Sequence, residues 1–383
     1  MWSLALLVWG CAKSPEAVES ASGDAVIEAS GRQPTEVLAE AASDLDASAR
    51  GRALALLIRH ADEAGGGDWA PRALYDPNPW VAQLAVDALH QRRPEQASLE
   101  LLRTTALRTE LDAYTRGAAA VRAAWGGDEG VLEPMREAWR AADDWDQPPL
   151  ALAGAVLGDD EALEVLSKSV ERGDLPLELR FFGDLGRSGL QAVVPALSTC
   201  AGRVEPELEM AIAAALMELG ASEGEAMMRA ALNGSDLERR LEALDFLVTV
   251  DSPEADALLA KAAKSAGVDA TYARLALVAR GLEPTEVAVE ASRSVDREVR
   301  RLAAWALGQA PPAKNERAAR PSRDALAAAL GDTEYAVVLE AVQAIAQSGR
   351  AEDVQLVEPL MAGDVVVLRV EAAAALLVLG SEG

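Results

Sequence analysis

The chain has 383 residues, enough for two ordinary domains or one long array of repeats. It carries 36 Lys and Arg against 62 Asp and Glu, a formal charge of −26, which argues against a nucleic-acid footprint and against an electrostatic grip on anionic lipid. Its two Cys and two His are too few for a disulfide framework or a Cys/His zinc site.

Met1 to Cys11 is a short apolar run, below the ~20 residues that span a bilayer. It reads as the apolar part of an export signal. Val8-Trp9-Gly10-Cys11 resembles a bacterial lipobox, although Trp9 is unusual there and no Lys or Arg precedes Cys11. The resemblance implies lipidation at Cys11 and a lipid-anchored protein of the cell envelope. Ala12, standing where an inner-membrane retention signal has Asp, points to the outer membrane. A cytosolic protein with a chance apolar start is the alternative. Residues 12–45 are rich in Ala, Ser, Glu and Asp and read as a flexible acidic tether. Residues 46–383 form the repeat region.

Ala, Leu, Glu and Val dominate that region, and aromatics are few. Short helices packed through small side chains suit such a composition better than sheets do. Units start near Asp46, Asp76, Asp112, Asp146, Leu175, Val204, Asp236, Val268, Asp296, Asp332 and Asp364, about 28 to 36 residues apart. An Asp at a unit start is expected to cap the first helix and complement its dipole. Arg116, Arg240, Arg301 and Arg369 follow four or five residues later and are placed to bridge to a neighbouring unit's Asp. Helical spacing is plain in Tyr335, Val338, Leu339, Val342, Ile345 and Ala346. Asp251-Ser-Pro-Glu254 and Ser222-Glu-Gly-Glu225 read as starts of second helices. Gly220, Gly308, Gly349 and Gly380 are expected to close first helices. His60 and His90 fall at helix ends, as surface or capping residues.

Asp296-Arg-Glu-Val-Arg-Arg-Leu-Ala-Ala-Trp-Ala-Leu-Gly308 fits the pattern Asp-x-x-Val-Arg-x-x-Ala-Ala-x-Ala-Leu-Gly. This resembles the HEAT-like repeats of the phycobilin-lyase type, over residues 46–383 and most closely in the C-terminal copies. The resemblance implies an all-α fold, a right-handed α-solenoid of about ten to eleven HEAT-like helical hairpins. Members scaffold, bind peptides or assist cofactor attachment. It also implies that second helices line the concave face.

No P-loop, Gly-x-Ser-x-Gly or His-Glu-x-x-His occurs. Asp44-Leu-Asp46 starts like a calcium loop but lacks its Gly and its final acid. Asp143-Asp144-Trp145-Asp146 reads as a solvated turn rather than a cation site. Cys200 reads as a buried structural thiol. No catalytic residue, metal site or cofactor is therefore expected. The leading expectation is a non-catalytic protein-binding or scaffold solenoid; an enzyme-associated or cofactor-attachment helper is the alternative. Trp139, with Glu133 and Glu137 on the same helix, is the candidate partner-facing aromatic, and inter-repeat packing is its competing role. Residues 365–379 are apolar nearly all round. A terminal unit normally has a polar face, so Leu376 and Val378 are candidates for docking a partner or a second copy. Tucking under the preceding unit is the alternative.

Overall fold

The computed structural model describes residues 33–381, apart from 61–68, 92–95, 173–178, 314 and 349–350. Cys11, the apolar run, residues 12–32, Leu175 and Gly349 lie outside the described residues. Those described form helices and no strand. In chain order the α-helices are α1 (Pro34–Ala41), α2 (Ala47–Arg59), α3 (Trp69–Leu74), α4 (Pro79–Gln91), α5 (Gln96–Ala106), α6 (Ala113–Trp125), α7 (Leu132–Ala141), α8 (Gln147–Val156), α9 (Asp160–Arg172), α10 (Leu179–Arg187), α11 (Val194–Ala201), α12 (Pro206–Glu218), α13 (Ser222–Leu232), α14 (Leu237–Thr249), α15 (Pro253–Ala262), α16 (Val268–Ala279), α17 (Glu286–Ala291), α18 (Arg297–Gln309), α19 (Glu316–Ala329), α20 (Tyr335–Ser348), α21 (Val354–Val357) and α22 (Val366–Ser381).

Local chemistry sets many of the starts. Asp46, Asp112, Asp236 and Asp296 cap α2, α6, α14 and α18, each accepting a backbone N–H from the first turn. Ser252 caps α15 ahead of Pro253 in the same way. The expected box at Ser222 does not form. Ala221 is the cap residue, and the Ser222 hydroxyl bonds to Glu223. Gly220 takes φ +74° after α12, as a closing glycine should. Gly308 lies inside α18 instead. A Cβ there would stand 2.7 Å from the Cα and Cβ of Ala344, so Gly308 lets α18 approach α20 closely.

The helices alternate between two layers. Even-numbered helices pack side by side, and odd-numbered helices lie over the seams between them. One break occurs at α8: α10 passes it to touch α6, and Arg180 at the start of α10 reaches Asp87 on α4. Contacts across non-adjacent units place the even helices on the concave side. This corrects the expectation that second helices line that side. The core between the layers is aliphatic and Ala-rich throughout.

The succession of neighbours closes on itself. The α22 helix packs against α20 on one side and α2 on the other, and α1 lies along α22. Thus α1 stands to α22 as α3 does to α2. Its Val37 and Leu38 are 3% and 0% exposed, so Pro34–Ala41 belongs to the folded array, not to the tether. Across the junction Arg52 of α2 donates to Glu371 of α22 at 2.5 Å, between two buried side chains.

Candidate partner-binding surfaces

Adjacent units are tied by a repeated arginine. Arg300 grips Asp332 with Nε and Nη2 at 2.7 and 3.0 Å, and its Nη1 donates back to the Ser294 carbonyl. Arg50 does the same with Asp76 and the Asp44 carbonyl, while Arg240 reaches Asp269 through Nε alone and donates back to the Gly234 carbonyl. Two-pronged Arg–carboxylate bonds fix both distance and rotation. The bridge to the next unit's Asp is made by Arg300, four after the capping Asp, whereas Arg301 reaches Glu340 of that unit instead. Among the described residues Arg116 reaches the Ala106 carbonyl, and Arg369 those of Gly363 and Asp364.

A second charged system runs round the concave wall. Arg122 on α6 donates to Asp184 on α10 at 2.8 Å and lies 2.9 Å from Asp87 on α4. Burial works against the Arg122 charge, but Asp184 and Asp87 outweigh it and hold the guanidinium protonated. Burial alone would raise Asp87; Arg122 and Arg180 hold it below the usual carboxylate range. Further round, Arg301 of α18 lies 3.4 Å from Glu340 of α20. Three carboxyls on this wall are less well matched. Burial pushes Glu218 and Glu340 up to about 7 and Asp245 up to about 6. The buried Nε of Arg59 has no hydrogen-bond partner among the described residues. These groups knit even helices together, and their polar atoms mostly face one another.

The residues singled out in the sequence are dispersed. Trp139 is 2% exposed and packs beside Gly154 of α8. It is a packing residue inside its own pair of helices, which corrects its assignment as a partner-facing aromatic. Glu133 and Glu137 stay exposed on the opposite side of α7, with Glu133 paired to Arg136. Leu376 is 8% exposed and Val378 partly buried. The apolar surface of α22 is covered by α1, α2 and α20, which corrects the expectation of an open, sticky end. Cys200 is buried, with its thiol pushed up to about 11 by that burial. Asp143 bonds the backbone of Trp145 and Asp146, and Asp144 pairs with Arg172. No cluster of metal-binding side chains occurs among the described residues.

Sequence reading missed an outward groove of about 390 Å³ between α17 and α19. Arg293, Arg317, Arg320, Pro321, Asp324 and Asp332 line it, among smaller residues. Its signal was present in the sequence. Between residues 293 and 323 stand eight Lys and Arg but only three Asp and Glu, inverting the balance of the whole chain.

No family model matches the chain, and neither does any curated protein. Solved structures do. One engineered protein is 20% identical over 92% of this chain and 100% of its own, with a TM-score of 0.31. A second is 20% identical over 74% and 97%, with a TM-score of 0.27. Human deoxyhypusine hydroxylase in complex with glycerol is 16% identical over 91% and 96%, with a TM-score of 0.29.

Proposed function

We propose that the chain is a non-catalytic scaffold that binds a protein partner. It would be a right-handed array of about ten to eleven HEAT-like hairpins, lipidated at Cys11 and held at a bacterial cell envelope, on the outer membrane. One observation carries the binding role. With α22 covered by α1 and α2, neither end of the array offers an apolar face among the described residues. The concave charges are largely turned on one another, so the outer layer is the surface left to meet a partner. A rigid wall with an uneven charge pattern suits recognition by shape and charge.

Crosslinked pull-down of the full-length chain from its host's membrane fraction tests this, with Cys11→Ser as control. Near-stoichiometric recovery of one protein, reduced by the control, supports both the scaffold and the anchor. Recovery from the soluble fraction, unchanged by the control, sinks the anchor. Recovery of no protein while the chain stays in membranes sinks the scaffold.

A further inference from the structure

We infer that the groove between α17 and α19 is a docking site for a short acidic segment of a partner protein. This rests on the scaffold reading and names the partner's chemistry. Most arginines of the basic stretch are already partnered. Arg300 is committed to Asp332, and Arg301 to Glu298 and Glu340. Arg297 faces Glu298 and Glu334, and Arg323 is held by Asp353 and Glu352. The remainder is Arg293, Arg317 and Arg320, all exposed and all on the groove. Arg293 and Arg317 make no ion pair within the described residues, and Arg320 has only Asp324 at 3.7 Å.

Asp332, the other acid in the groove, is already engaged by two nitrogens of Arg300. Three guanidiniums therefore face one loosely held carboxylate. Guanidinium forks match carboxylates in pairs. Pro321 adds an uncharged feature to the same wall. It has no N–H to donate to the Arg317 carbonyl one turn back.

The surrounding charge limits the length of the ligand. The chain as a whole is at −26, and charges are screened beyond ~8 Å at physiological salt. A segment with a few carboxylates feels mainly the three arginines. A long polyanion such as nucleic acid would leave the groove and meet acidic surface on both sides.

The test is fluorescence anisotropy of a labelled hexaglutamate peptide with the full-length chain, and hexalysine as the opposite-charge probe. Binding of hexaglutamate should weaken at least ten-fold in Arg293→Glu/Arg317→Glu/Arg320→Glu and as salt is raised. Reversal at a distant exposed site, Lys168→Glu, should leave it unchanged. All three arginines are exposed, and matching circular dichroism melts would show that the triple variant folds. No binding of hexaglutamate at millimolar concentration overturns the proposal, as does binding indifferent to the triple change. Pull-down with the triple variant separates the two readings. A partner still recovered leaves the scaffold standing and removes the groove.

Discussion

Arg122 is the most heavily engaged side chain of the concave wall. It is 6% exposed and holds Asp184 and Asp87 together. Removing one member of a buried ionic group leaves the others desolvated and unpaired. Arg122→Met should thus cost about 3–5 kcal/mol in urea unfolding. Arg229, in an exposed i,i+4 pair with Glu225, should cost under ~0.5 kcal/mol when cut to Ala. Glu218 gives a pH signature. Its folded pKa near 7 lies above the ordinary 4.5, so between those values the folded chain holds a proton that the unfolded chain releases. Stability then falls as pH rises through that window and levels off above it. Glu340 and Asp245, also raised by burial, add to the same fall; thermal melts from pH 5 to 8 should show it, and Glu218→Gln should make it shallower. The capping Asp residues were legible in the sequence because a cap is a contact over two or three residues. Which arginine reaches the next unit's Asp was read one position out at residue 301, because that depends on how successive units are rotated. Trp139 failed for a related reason. Its helix has a clear polar face, but which layer the helix joins is decided by its neighbours.

At the scale of elements, α1 and α18 carry the clearest consequences. Leu38 on α1 is fully buried beside α22. Leu38→Ala should lower stability by about 2–5 kcal/mol; an unchanged unfolding midpoint would mean that α1 does not dock. Gly308 on α18 meets the backbone of α20, and forcing a side chain there costs about 1–3 kcal/mol. Differential scanning calorimetry of Gly308→Leu measures it. The helices themselves were plain in the apolar spacing. The role of α1 was hidden because its eight residues sit in a stretch whose composition reads as tether. Its apolar residues pack on the adjacent α2 as well, but are fully covered only when α22 arrives from the far end of the chain.

For the whole molecule, closure is the property that a sequence of similar units does not reveal, since the same units stack as readily into an open spiral. An open array with units ~8–10 Å apart would hold its ends on the order of 100 Å apart. Here α1 lies on α22. Dyes at Glu36→Cys and Asp364→Cys, in a Cys11→Ser background, should show efficient energy transfer. Cys200, buried and with a raised thiol pKa, should stay unlabelled. Low transfer in the native chain would rule the closed arrangement out.

The junction also separates the order of the gene from the order of the fold. Most odd helices, α3, α9 and α13 among them, rest on the even helix before them, and α1 rests on α22 in the same way. A chain covalently joined from residue 381 to residue 33 and cut at the exposed turn Asn233-Gly234-Ser235, between α13 and α14, should assemble the same neighbours in the same places. The position of the chain break would then become a free variable, tunable to decide which hairpin lets go first under tension.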